Sequence, residues 1–230
     1  MDDIYHNETY LKHNPTWHQE DSPWKAAYIR QILRKNGVEG NRVCEIGCGA
    51  GEILNQLYDI SPETTRFYGY ELSEVAFRLC EPKAKERLRY YNSDPLILTD
   101  QIFDVALVID VFEHIADYFE FLKDVKRLAT YKVFHIPLEL SAQSIIRSTP
   151  LLDSRHQLGH LHFFTKDLAV DSLCCAGYEI IDCCYTNAAF DLPKKLRTKF
   201  LNLPRWLLYK ISPDLCSRIF GGFSLMVLAR

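Results

Sequence analysis

The chain predicts an α/β fold, a doubly wound and mostly parallel sheet with helices on both faces. Three observations predict it. Short apolar runs alternate with amphipathic segments along most of the chain, the pattern of strand–helix–strand units. Asp104–Ile109 (DVALVI) is almost continuously apolar, as a strand covered on both faces must be. A glycine-rich turn, Gly47–Gly51, joins the first apolar run to the amphipathic segment after it, where an open α/β sheet places its ligand crevice.

The elements follow in order. Ser22 is placed as an N-cap and Pro23 in the first turn of a helix to about Asn36, which Gly37 and Gly40 end. Arg42–Ile46 is the first strand and leads through the glycine turn into a helix to about Tyr58. Phe67–Glu71 is the second strand, Ser73–Glu81 the next helix and Leu88–Asn92 a short third strand. Asp104–Ile109 is the fourth strand. Tyr118–Ala129 is a helix with Phe119, Leu122, Val125 and Leu128 as apolar positions. Lys132–Ile136 is the fifth strand, ended by Pro137. Thr165–Ala176 is a helix closed by Gly177, Tyr178–Tyr185 a sixth strand and Phe223–Ala229 the last. Right-handed crossovers place the helices on the two faces.

At 230 residues, 47% hydrophobic and 25% charged, the chain suits one folded domain with a sizeable core. That domain, 1–230, reads as an N-terminal lid or helix (1–38), a ligand-binding core (40–185), a helical cap insertion (190–215) and a last strand (223–229). The formal charge of −3 exerts no global pull on nucleic acid. MDDIYHNETY has no basic region before an apolar stretch, and no apolar run reaches ~18 residues, so a soluble, cytoplasmic protein is expected. Among the eight cysteines, Cys174-Cys175 and Cys183-Cys184 are adjacent pairs, with no two separated Cys-x-x-Cys knuckles. They read as reduced, small, buried residues.

The glycine turn reads Glu45-Ile46-Gly47-Cys48-Gly49-Ala50-Gly51. Glycines there let backbone approach a ligand closely. Glu71, at the end of the second strand, can accept from both ribose hydroxyls of an adenosine, and Asp94 in Asn92-Ser93-Asp94-Pro95 can accept from an adenine amino group. A dinucleotide site would share the first two features, but its fingerprint is Gly-x-Gly-x-x-Gly. Here the spacing is Gly-x-Gly-x-Gly, and Glu45 would repel a pyrophosphate while suiting the ammonium of a methionine tail. The contrast in charge favours S-adenosylmethionine.

VCEIGCGAGEIL, YGYELS, NSDPL and DVALVIDVFEHI, in that order, resemble the motifs of class I S-adenosylmethionine-dependent methyltransferases over about residues 40–185. The resemblance implies a Rossmann-like seven-stranded sheet whose last strand is antiparallel. It implies that Glu45, Gly47, Cys48, Gly49 and Gly51 hold the methionyl part of the cofactor, that Glu71 binds ribose, that Leu72 packs on adenine and that Asp94 binds its amino group. Glu71 stands where this family more commonly has aspartate.

After the fourth strand come Asp110, Glu113 and His114, which a helical turn would project to one side. Further on, Arg155–His162 holds three histidines. This arrangement resembles ubiquinone-biosynthesis O-methyltransferases and small-RNA 2′-O-methyltransferases. The latter resemblance implies a divalent-metal site of Asp110, Glu113, His114 and His160, with Asp110 shorter than the usual glutamate. Such a donor set suits Mn²⁺, Fe²⁺, Co²⁺ or Zn²⁺ better than Mg²⁺. A metal-free reading makes His114 or His160, beside Glu113, a general base or positioning donor. The bland readings are structural histidines, with Asp110 as a cap or cofactor contact.

Two further regions bear on the substrate. The aromatic lead with Tyr5, Tyr10, Trp17, His18 and Trp24 either folds over the cofactor, with Lys25 near the methionine carboxylate, or packs plainly on the sheet. Pro193–Lys210 is basic and amphipathic, interrupted by Pro204. It reads as a packed cap, a peripheral membrane contact or a site for an acidic substrate. The leading function is methyl transfer from S-adenosylmethionine to an oxygen of a small-molecule or glycan-precursor acceptor. The alternatives are metal-dependent RNA 2′-O-methylation, which the charge disfavours, and a non-catalytic S-adenosylmethionine-binding module.

Overall fold

The structure, a computed structural model, describes residues 9–97, 103–191 and 203–230. Seven strands form one sheet in the order β3-β2-β1-β4-β5-β7-β6. They are β1 (Arg42–Ile46), β2 (Arg66–Tyr70), β3 (Leu88–Tyr91), β4 (Phe103–Ile109), β5 (Ala129–Leu138), β6 (Ile180–Thr186) and β7 (Phe223–Ala229). β7 runs antiparallel to both β5 and β6, and the pairings among β1 to β5 are parallel. Strand order reverses between β1 and β4, so their carboxyl ends open a crevice.

The apolar runs of the central strands feed two cores, because successive side chains point to opposite faces. Val105, Leu107 and Ile109 of β4 join Ala26, Ile29, Leu54 and Leu57, which come from α2 (Ser22–Lys35) and α3 (Glu52–Ile60). Ala106 and Val108 join Leu122, Val125, Ala169 and Leu173, from α5 (Tyr118–Leu128) and α8 (Lys166–Cys175). The helix α4 (Glu74–Cys80), capped by the Ser73 hydroxyl, adds Cys80 to the first of these cores.

Four local expectations change. Ser22 is not a cap: the 3-10 turn Gln19–Asp21 runs straight into α2, so Ser22 is its first residue and is buried. On α5, Phe119 faces solvent and Phe121 is buried, one position over from Leu122 and four before Val125. β5 continues through Pro137 to Leu138, because β4 ends opposite His135 and leaves one side of Pro137 without a ladder. Of the eight cysteines, all free, Cys44, Cys48, Cys80 and Cys216 are buried, whereas Cys174 and Cys175 are exposed on the last turn of α8.

The lead begins with α1 (Thr9–His13) and passes through Trp17 and His18, both at positive φ. Tyr5 and the residues Pro193–Asn202 of the basic stretch lie outside the described residues. From Leu203 the chain forms two helices, Leu203–Ile211 and Pro213–Phe220, before β7. No helix of the described residues is long and apolar enough to cross a membrane.

Candidate functional site

The glycine turn takes its shape from three left-handed residues, Gly47, Gly49 and Gly51. At Gly51 the need for glycine is double: φ is +74°, and a Cβ would sit 2.7 Å from both Cys80 Cβ and the Tyr90 ring. Tyr90 also donates its hydroxyl to the Gly51 carbonyl at 2.6 Å. Lys83 ties the turn from outside, reaching the Ala50 carbonyl at 2.8 Å, Glu52 at 2.8 Å and Gln19 of the lead at 2.6 Å. Glu71 accepts the Gly49 amide at 2.7 Å and the Ser73 amide at 2.8 Å, so its carboxylate braces the turn to the end of β2.

A cleft of about 320 Å³ opens beside the turn at the carboxyl ends of β1 and β4. Glu45, Gly47, Cys48, Gly49, Lys25 and Asp110 line it, as do Glu113, His114 and His160 at its other end. Gly51, Glu71, Leu72 and Asp94 do not line it. Leu72 is exposed, and Asp94 accepts the Leu96 amide at 2.9 Å within its own loop. Glu45 is buried, one of its oxygens has no hydrogen-bond partner among the described residues, and burial pushes its pKa well up. The Trp17 ring crosses the turn so closely that a Cβ on Gly49 would lie 2.9 Å from it, and Tyr10 packs on Trp17 at 4.7 Å.

Asp110 does not join Glu113 and His114. It sits at φ +54°, a conformation that aspartate tolerates better than most residues, ahead of a single 3-10 turn, Phe112–His114. The turn starts too late to carry Asp110 onto the same side. Its carboxylate instead takes Lys25 Nζ at 2.7 Å and His135 Nδ1 at 2.6 Å, and His135 Nε2 meets the Thr186 hydroxyl at 2.9 Å. Burial raises the Asp110 pKa, but the positive partners His135 and Lys25 outweigh it and hold the carboxyl well below its usual range. Lys25, expected near a methionine carboxylate, is paired inside the protein.

The remaining predicted residues do meet. Glu113 is fully buried, and among the described residues neither of its carboxylate oxygens has a hydrogen-bond partner; burial drives its pKa well up. His114 Nε2 lies 3.9 Å from Glu113 Oε1, and the His114 and His160 rings are 4.7 Å apart. Burial, then the neighbouring His160, pushes the His114 pKa down to about 4. His160 follows a π-helical turn, Ser154–Leu158, closed by Gly159 at φ +79°. Its Nδ1 meets Glu139 Oε2 at 2.6 Å, and Ser154 holds the other Glu139 oxygen. His162 turns away, with Nε2 3.0 Å from the Ile115 carbonyl and its ring against Tyr118.

The family described as Methyltransferase domain matches residues 16–181 of this sequence. The chain belongs to the class I S-adenosylmethionine-dependent methyltransferase family. An uncharacterized protein, MJ0638, of Methanocaldococcus jannaschii is 25% identical over 174 residues, 75% of this chain and 63% of that protein. The ubiquinone biosynthesis O-methyltransferase of Maricaulis maris is 31% identical over 96 residues, 39% of this chain and 37% of that one. The matches thus span less than two thirds of either relative. In fold, the chain is similar to the magnesium protoporphyrin IX methyltransferase of Synechocystis PCC 6803 solved with bound SAH. That match has a TM-score of 0.59 and 15% identity, covering 95% of this chain and 85% of that one.

In this family member the sequence left four polar residues of the site unnoticed: Glu139, His135, Thr186 and Lys83. Glu139 carried a faint signal, an acid between Leu138 and Leu140 just past the apolar fifth strand. The Glu113, His114 and His160 donor atoms lie within 4.8 Å of one another, a spacing that fits a divalent cation. Glu139 would then fix the tautomer of a ligating His160.

Proposed function

We propose that this chain moves the methyl group of S-adenosylmethionine onto an oxygen of a small metabolite or glycan precursor. One observation carries the reading: a single cleft runs from the glycine turn to a buried histidine whose outer nitrogen is already committed to a carboxylate. Glu45 and the backbone of Gly47, Cys48 and Gly49 serve the methionyl end, with Glu71, Leu72 and Asp94 toward the adenosine. The sulfonium is itself a good leaving group, so the protein's part is alignment and proton removal. His160, held through Nδ1 by Glu139, takes the acceptor's hydroxyl proton on Nε2. The oxygen forms its bond to the methyl carbon as the carbon–sulfur bond breaks, and its electron pair stays on sulfur.

Calorimetric titration with S-adenosylmethionine and its demethylated product tests the cofactor, and transfer of labelled methyl into cell extracts tests the reaction. Binding of both, with transfer abolished in His160→Gln, supports the reading. A protein that binds neither overturns it, and one that binds both yet transfers nothing is a binding module.

A second reading has its own observation, the two oxygens of buried Glu113 that accept no hydrogen bond among the described residues. Glu113, His114 and His160 would hold a divalent cation, whose chemistry is to lower the pKa of a bound acceptor oxygen. Asp110 is excluded by its bonds to Lys25 and His135. Cobalt(II) titration followed by visible absorption tests it without turnover: stoichiometric d–d bands lost in Glu113→Gln support a site, and none in the parent chain ends the idea.

A further inference from the structure

We infer that this methyltransferase docks on an anionic membrane surface through four short helices beside the acceptor end of its cleft. The helices are α6 (Ala142–Arg147), α7 (Thr149–Asp153), Leu203–Ile211 and Pro213–Phe220. Pro213–Phe220 packs against both α6 and Leu203–Ile211, and α7 follows α6 and packs on it, so the four make one surface. Their undersides are anchored, with Ser144, Cys216 and Ser217 buried and Leu208 and Tyr209 packed on the core.

Their outer side carries large apolar residues. Ile146 and Ile211 are each 82% exposed, and Ile145, Leu152, Leu207 and Leu215 are also open to solvent. Folding alone gives no reason to keep large aliphatic side chains uncovered on all four neighbouring helices, and an open apolar patch marks a surface that binds something.

Charge selects the occupant. The four helices hold Arg147, Arg205, Lys210 and Arg218 against Asp153 and Asp214, in a chain whose formal charge is −3. Arg147 and Lys210 are exposed among the apolar residues. Aliphatic side chains flanked by cations suit the headgroup boundary of an anionic bilayer, where the apolar atoms enter the acyl region and the cations meet phosphate. A protein partner would need a complementary acidic groove; a bilayer needs only this pattern. None of these helices is long enough to span, so the contact is peripheral.

The surface adjoins the site. Gly222 and Ser224, just beyond Phe220, and Pro137, just before α6, all line the cleft. Resting on the methyl-transfer reading above, this makes the acceptor a polar head on an apolar tail, presented from the bilayer. The docking itself does not depend on that reading.

Sedimentation with vesicles of phosphatidylcholine containing about a third phosphatidylserine tests the docking on the full chain. Binding is expected to rise with phosphatidylserine, to fall with salt, and to drop ~10-fold or more in the doubly substituted Ile146→Glu, Ile211→Glu chain. These side chains are exposed, so the variant keeps its fold, checked by circular dichroism and by S-adenosylmethionine titration. No binding of the folded parent chain to either vesicle overturns the inference. So does a concentration-dependent dimer, seen by light scattering, that the same substitutions abolish while vesicle binding stays unchanged. Vesicle binding without any methyl transfer would overturn the acceptor reading and leave the docking standing.

Discussion

Glu139 Oε2 lies 2.6 Å from His160 Nδ1, and the two residues are 21 positions apart on segments that only the fold brings together. A carboxylate accepts and does not donate, so Glu139 selects the imidazole tautomer with its hydrogen on Nδ1, which leaves Nε2 as the acceptor nitrogen for the proposed transfer. Glu139→Gln keeps an acceptor for Nδ1–H and removes the negative charge that would stabilise the imidazolium formed in turnover. The expected outcome is kcat lowered by roughly 10- to 100-fold, with S-adenosylmethionine affinity within about twofold of the parent. Steady-state kinetics beside calorimetry separates the two; unchanged kcat would remove Glu139 from the positioning machinery.

The Lys25–Asp110–His135 network predicts an acid-labile contribution to stability. The folded Asp110 carboxyl titrates below its usual value of 3.8, so its contribution is fully present above that pH and is lost as pH falls below about 4. Asp110→Asn tolerates the same left-handed backbone while removing the charge. It should cost ~1–3 kcal/mol at pH 7 and progressively less in acid. Urea midpoints between pH 3 and 7 measure this, and parallel pH curves for parent and variant would contradict it.

Lys132 is buried on β5 with the Tyr178 ring 5.5 Å from its ammonium. Burial, helped by Lys126, lowers its pKa from 10.5 to about 8. The folded chain therefore resists protonation more than the unfolded one, a cost that is complete below pH 8 and disappears as pH rises through 10.5. Lys132→Met should stabilise the protein at pH 7 by on the order of 1 kcal/mol, with a smaller gain at pH 10. Thermal midpoints at the two pH values decide it.

Gly51→Ala tests the glycine turn directly. A methyl group there meets Cys80 and the Tyr90 ring at 2.7 Å and holds a backbone at φ +74°. Loss of ~2–4 kcal/mol of stability is expected, together with weakened S-adenosylmethionine binding. Parent-like affinity and melting temperature would show that the turn relaxes more easily than this geometry allows.

Much of the fold was legible because it rests on local pattern. β1 and β7 begin and end where their apolar runs do, and the glycine turn announces itself by residues that sit side by side. Phe121 displaced Phe119 from the α5 core because which apolar residue faces inward depends on how the helix is rotated against the sheet. Asp110 left the acidic-histidine group for a similar reason: a helical turn from Asp110 would align it with His114, but the chain delays that turn to Phe112.

Read alone, the sequence settled the strand–helix alternation and the methyltransferase family, and it named Glu113, His114 and His160 among the candidates for one group. These follow from periodicity and from motifs whose members are close along the chain or anchored at strand ends. Tertiary structure alone decided what each charged group pairs with. Lys25 went to Asp110 across 85 residues, and His135 bridged that carboxylate to Thr186 a further 51 residues on. A buried charge must find an opposite charge or a hydrogen-bond partner, and the partner is whichever group packing brings within about 3 Å. No spacing in the chain encodes that distance.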